Sequence, residues 1–191
     1  MPQTQREEVK IHSINSLAGY HNSLNNLLMD SVNNGASIGF IAPLTSQIAE
    51  EYWHSIEVEL QNNERKLIVA TKGSKIIAAV QLSLCQKDNG KHRGEVEKLM
   101  VHSQHQGLGF AKQLMHTLEQ GALQQQLKLL VLDTRLGDVA SDLYRKLGYI
   151  EAGQIPLFAL SSSGELQSTV LFYKLLAKNL GHSPVASRHL Q

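Results

Sequence analysis

The chain predicts one mixed domain of the α/β or α+β class, and three observations predict it. Residues 66–102 read as β-rich runs separated by tight turns, the pattern of an antiparallel meander. The last of these runs breaks at the paired glycines Gly107 and Gly109, and a helix-like run follows from Phe110 to Gln120. The remainder alternates strand, helix, strand, strand, with no internal repeat and no linker that would separate domains. The 191 residues suit one large domain, and 42% hydrophobic content is enough for a packed core.

The elements follow in order. Residues 1–8 read as a flexible lead, and Val9, Ile11 and Ile14 mark a first strand. Ser16 to Asn34 reads as a helix, because Leu17, Tyr20, Leu24, Leu27, Leu28 and Val32 recur at helical spacing, and Gly35 suits its end. A second helix is expected after Pro43, with the stripe Ile48, Tyr52, Ile56 and Leu60, ending near Gln61. The period then shortens to that of strands. Lys66 to Thr71, Lys75 to Gln86 and Gly94 to His102 form the meander; Lys72-Gly73-Ser74 is a tight turn, and Asn89-Gly90 is a hairpin-turn signal. Leu129 to Asp133 is a continuous apolar run, as expected of a strand covered on both faces. Asp138 to Leu147 reads as a helix capped by Asp138 and ended by Gly148. Gly148 to Gln154 and Gln167 to Leu176 are the last strands, and residues 177–191 read as a flexible tail.

Composition narrows the function classes. The formal net charge is +1, from 18 basic and 17 acidic residues, so no basic face argues for nucleic acid. One cysteine, Cys85, leaves no internal disulfide framework, and its apolar neighbours suit a structural thiol rather than a nucleophile. No apolar run reaches membrane-spanning length, and Met1 to Lys10 lacks a signal-like core, so a cytoplasmic protein is expected. The nine histidines are scattered; His102 and His105 are neighbours, but without a carboxylate or cysteine close in sequence, and no metal site is expected.

The stretch Gln104-His105-Gln106-Gly107-Leu108-Gly109 carries the chemistry. A strand that breaks at glycines and re-forms as a helix presents free backbone N–H groups at the positive end of a helix dipole, an anion cradle. An ordinary strained turn would also use such glycines. A dinucleotide fingerprint wants a third glycine where Lys112 stands, although Asp133 lies near the ribose-acid distance. A Walker loop wants a Gly-Lys-Ser/Thr that is missing.

The Gln-x-x-Gly-x-Gly pattern after Leu99-Met100-Val101 resembles the pyrophosphate loop of the GNAT acetyltransferases. Leu143-Tyr144-Arg145-Lys146-Leu147-Gly148-Tyr149 is similar to that family's helix-to-strand signature, and element order agrees from about residue 66 to 176. Within the family the chain is most similar to the tabtoxin-resistance type, on Gly90 to Val101 and Leu132-Asp133-Thr134, and less strictly on Ile155-Pro156 and Ser163 to Leu166. It departs at Gln104, often arginine, and at Gln106, often basic, which removes a cation near phosphate.

The resemblance implies one GNAT domain over residues 9–176, with a mixed, mostly antiparallel sheet flanked by helices on both faces. It implies acetyl-CoA as cosubstrate, held by Leu99, Met100, Val101, Gln106, Gly107, Leu108, Gly109, Phe110, Ala111 and Lys112, with direct transfer and no covalent intermediate. Strand backbone near Met100 and Val101 would polarise the thioester carbonyl. An amine with pKa near 10 is mostly protonated at neutral pH, and a carboxylate, directly or through water, could remove that proton. Glu95 matches the family's strand glutamate, with Asp133 as its partner; Glu97 is better read as surface charge. Tyr144 offers a phenol to the leaving thiolate. The expected acceptor is a small primary amine, amino-acid- or toxin-like; the alternatives are a protein N-acetyltransferase and a non-catalytic acyl-CoA-binding domain. A monomer or homodimer is expected, with no nucleic acid or membrane partner. The segments 16–61 and 155–167 should wall the acceptor pocket.

Overall fold

The computed structural model describes residues 8–176, so both expected flexible ends, apart from Glu8, lie outside the described residues. The chain runs β1 (Val9–Ile14), α1 (His21–Asn33), α2 (Ser46–Gln61), β2 (Arg65–Lys72), β3 (Lys75–Leu84), β4 (Arg93–Val101), α3 (Phe110–Gln124), β5 (Leu129–Arg135), α4 (Ala140–Lys146), β6 (Ile150–Leu160) and β7 (Leu166–Leu175). The strands form one seven-stranded sheet in the order β1-β2-β3-β4-β5-β7-β6. Every pairing is antiparallel except β4 with β5, which is parallel. No helix among the described residues is long and apolar enough to cross a membrane.

Strand alternation sends side chains to two cores. Leu67, Val69, Ala79 and Met100 join α1 and α2 in one core around the fully buried Trp53. Ile68, Ala70, Val80, Leu82, Val96, Leu130, Leu132 and Phe172 join α3 and α4 in the other. The cover is uneven. Helices α1 and α2 lie over β2, β3 and β4, whereas Asp133 on β5 points to the same side and is exposed. The expectation that both faces of Leu129–Asp133 are covered is therefore corrected: only the Leu130 and Leu132 face is buried.

Local signals shift several boundaries. Helix α1 begins at His21 rather than Ser16, because Gly19 adopts φ +81 and the preceding segment is tied to α2: Leu17 N–H donates to Glu57 at 2.6 Å. Its end follows expectation, with Gly35 at φ +89 donating to Val32. Helix α2 begins at Ser46, capped by the Thr45 hydroxyl rather than opened by Pro43. The Asn89-Gly90 hairpin turn is replaced by a 3₁₀ turn over Asp88–Gly90. Gly90 serves there for room rather than for positive φ, since a Cβ would collide with Cys85 Sγ. Asp138 accepts from Ala140 N–H at 3.2 Å at the start of α4, and Gly148 ends it at φ +82. Strand β6 runs past Pro156 to Leu160, which an edge strand permits because proline has no N–H to donate.

Candidate active site

Strands β4 and β5 pair only over Arg93–Glu95 with Leu129–Val131. Beyond that point β4 continues to Val101 and β5 to Arg135, so the two diverge and leave a gap between them. Strand β4 also carries a bulge: its register against β3 jumps between Glu97 and Met100, and Lys98 sits at φ +51. Before the bulge Glu95 and Glu97 face α1 and α2; after it Met100 does. His102 N–H donates to Ile77 at 2.9 Å, so by strand alternation the Val101 amide and carbonyl point away from β3 into the gap.

The glycine loop closes the end of that gap. A 3₁₀ turn at Ser103–His105 leads into Gly107 (φ +74) and Gly109 (φ +82), where α3 begins. Both glycines hold the left-handed backbone that other residues adopt only at a cost. Among the described residues no backbone carbonyl accepts from Gly107, Leu108 or Gly109, and the first helical amides after them lack partners as in any helix. A Cβ on Gly107 would meet nothing within 4 Å, so the loop is open at that position. Leu108 is 60% exposed. Gln106 does not reach outward; its Nε2 donates to the Val101 carbonyl at 3.2 Å and ties the loop to β4. Phe110 packs against the core, whereas Lys112 is exposed and makes no ion pair among the described residues. Free amides on a glycine backbone at a helix N-terminus fit a pyrophosphate, and the diverging strands leave an edge of β4 for an amide-bearing arm.

Across the gap lie the acidic residues. Glu95 pairs in register with Val131, and Asp133 lies two positions further along the same face. The Glu95 carboxyl is held above the usual glutamate range, first by partial burial, then by the negative charges of Glu97 and Asp133. Asp133 accepts a hydrogen bond from Thr169 Oγ1 at 2.7 Å. Glu97 is engaged elsewhere: Arg65 Nη1 donates to it at 2.9 Å, while Arg65 Nε donates to Glu59 at 2.7 Å. Arg65 Nη1 and the Tyr52 hydroxyl both donate to Gln81 Oε1, at 2.8 and 2.9 Å. Sequence reading missed this network. Its signal was an arginine and a glutamine at inward positions of apolar strands, where polar groups need partners.

Tyr144 projects from α4 into the opposite core, 6% exposed, with Tyr149 and Phe172 around its ring. Burial raises its phenol pKa, with Asp138 and Asp133 adding to the shift, so the hydroxyl stays protonated. It makes no side-chain hydrogen bond among the described residues and is not fully enclosed, unlike the Tyr149 hydroxyl. The structure thus brings Glu95 and Asp133 together on one face of the sheet, while Tyr144 lies in the core on the other.

Two segments that lie far apart in the sequence meet near this site. Ala42 N–H, in the α1–α2 connection, donates to the Ser162 carbonyl in the β6–β7 turn at 2.9 Å. Phe40 in the same connection packs edge-on to Tyr52 at 5.2 Å, and Lys98 Nζ lies 5.7 Å from the Phe40 ring centroid. His102 and His105 also gain an unforeseen neighbour. Asp30 of α1 takes the Ser103 N–H and hydroxyl, each at 2.7 Å, and approaches His102 Nδ1 at 3.8 Å.

The comparisons agree with this geometry. Residues 32–149 match the family model of the acetyltransferase (GNAT) family. A ribosomal-protein-alanine N-acetyltransferase from Brucella melitensis superposes with TM-score 0.74 at 18% identity, covering 87% of this chain and 99% of that one. YncA from Salmonella typhimurium, a structure with its cofactor acetyl-CoA, gives TM-score 0.73 at 16% identity over 94% of this chain and 99% of that one. The ribosomal-protein-S5-alanine acetyltransferase of Vibrio fischeri gives 0.73 at 16% identity over 90% and 95%. These structures share the fold, and the family model covers more than half of the sequence. The parallel junction that opens a gap, the glycine loop at its end and the matched family model have one meaning: the chain belongs to the GNAT family of acetyltransferases, as an acyltransferase with a single such domain.

Proposed function

We propose that the protein transfers the acetyl group of acetyl-CoA to the primary amine of a small amino-acid- or toxin-like molecule by direct attack, within a domain spanning residues 9–176. The observation that carries the reading is the gap between β4 and β5, with Glu95 and Asp133 at one flank and free loop amides at its end. The amides of Gly107 to Ala111 hold the pyrophosphate, with Lys112 as the nearby cation. Leu99, Met100 and Val101 supply the strand edge for the pantetheine arm, and the Val101 amide polarises the carbonyl. Gln106 acts indirectly, by fixing the loop to Val101.

Glu95 takes the proton from the incoming ammonium, directly or through water, because its raised pKa brings it nearer to the amine's. Asp133, oriented by Thr169, keeps that pKa high. Glu97 is excluded from the role by its bond to Arg65. Tyr144 donates a hydrogen bond to the departing sulfur. Its raised pKa makes full proton transfer to a thiolate unfavourable, so the stabilisation is that of a donor rather than an acid.

A compact acceptor suits a site beside which the α1–α2 connection is tied to the β6–β7 turn, and the tabtoxin-resistance resemblance points the same way. A protein N-terminus is the second reading, favoured by the ribosomal-protein acetyltransferases among the similar folds. The retained Glu95, Asp133 and Tyr144 argue against a merely acyl-CoA-binding domain. The deciding experiment is thiol release from acetyl-CoA against a panel of amino acids, toxin-like dipeptides, aminoglycosides and alanine-starting peptides. Turnover with a small amine is expected; turnover with peptides alone would replace the first reading by the second.

A further inference from the structure

Lys98 is an amine beside the proposed acids to which the proposed reaction gives no task. It stands on the unpaired part of β4, at the bulge, with φ +51. Its Nζ is packed over Phe40 and beside Gly39, where a Cβ would come within 3.2 Å of it. It makes no ion pair among the described residues, although Glu95, Glu97 and Asp133 all act on it electrostatically. The charged groups facing it are those three carboxylates and Arg65. An amine beside the acids that would deprotonate an acceptor amine, on the strand that borders the gap, occupies the place of an acceptor.

We propose that Lys98 is itself an acetyl acceptor, modified by the protein's own acetyl-thioester site when no other amine is present. This rests on the acetyl-CoA reading above. The lysine stem has four flexible carbons, so Nζ can swing from Phe40 toward the gap. Burial, the main cause, lowers the Lys98 pKa against the opposing charges of Glu97, Asp133 and Glu95, and Arg65 adds to the lowering, which enlarges the neutral fraction that can attack. In the step, neutral Nζ attacks the acetyl carbonyl carbon. The N–C bond forms, the C–S bond breaks, and the proton lost by nitrogen ends on the departing sulfur. The products are acetyl-lysine and free CoA thiol. Acetylation removes a positive charge that lowers the Glu95 pKa, so the modified protein carries a still more basic Glu95.

The test incubates the full chain with acetyl-CoA and no acceptor, then maps acetyl-lysine by mass spectrometry. Lys98 should be acetylated at least about tenfold faster than the exposed Lys91, because Lys98 lies on the strand that borders the bound thioester and Lys91 does not. Gly107→Asp should reduce Lys98 to the Lys91 level while leaving Lys91 unchanged. Equal labelling of Lys98 and Lys91, or Lys98 labelling that survives Gly107→Asp, would overturn the proposal. Calorimetric CoA binding and thiol release to a free amine are measured on the same preparation. If both are present and Lys98 stays unmodified, only this inference fails; if CoA does not bind, the underlying reading fails with it.

Discussion

On one face of β4, Val96 and Leu99 pack among apolar side chains under α3, while on the other Glu95, Glu97 and Lys98 crowd with Arg65 beneath α1 and α2. In the proposed reaction the first face backs the cofactor half of the site and the second lines the acceptor half. In that reading the cofactor half works through backbone: loop amides, a strand edge and glycines that keep side chains away. Such a surface is complete once the chain has folded. The acceptor half works through charged side chains whose mutual repulsion and lost hydration oppose folding, and Arg65 offsets part of that cost. A binding surface made of backbone can be rigid without strain, whereas a proton-transfer site must hold a group away from its relaxed ionisation.

Four substitutions probe the contrast. The largest effect is expected from Gly107→Asp, which combines left-handed strain with a negative charge aimed at phosphate; CoA affinity should fall about a hundredfold by calorimetry. The open space around Gly107 lets the fold survive, so a cooperative circular-dichroism melt, lowered by no more than the roughly 1 kcal/mol of left-handed strain, is the control. Next, Tyr144→Phe should lower kcat about a hundredfold with CoA affinity preserved, since the ring keeps its contacts with Tyr149 and Phe172. A variant with full turnover removes Tyr144 from the mechanism.

Arg65→Met acts on the other half. It leaves Glu59 and Glu97 without their cation, and should destabilise by about 2 kcal/mol in denaturant titration, less than a fully buried pair because both carboxylates are partly exposed. CoA binding should be unaffected, and a loss of it would show the two halves to be coupled. The smallest effects come from Glu95→Gln. It should lower kcat/KM about tenfold and remove the acid limb of the pH–rate profile, which the raised Glu95 pKa sets. It should also stabilise slightly, by about 0.5 kcal/mol after allowance for solvent screening. The sign follows from linkage. A carboxyl whose pKa is higher folded than unfolded destabilises the native state once it ionises, so the gain is full above the raised pKa and vanishes below the ordinary glutamate range. An unchanged acid limb would leave Asp133 as the base.

The glycine loop was legible because its signals are local. Gly107 and Gly109 need positive φ within a short span, and Gly148 ends its helix by the same rule. The misreadings were also local signals, overridden by distant contacts. Glu57, far along the chain, holds Leu17 outside the helix that its spacing suggested. Cys85 sets what Gly90 is for, so an Asn-Gly pair did not make the expected turn.

The sequence by itself determined the element order, the glycine loop and the residue types at the site, since propensity, turn chemistry and period are properties of neighbouring residues. Only the tertiary structure decided that β4 and β5 part after three paired residues, that Glu95 and Asp133 share a face while Arg65 takes Glu97, that Asp30 meets Ser103, and that Lys98 lies over Phe40. These are contacts between segments 30 or more residues apart, fixed by sheet register and by a bulge that reverses the alternation of β4. No window along the chain contains that information.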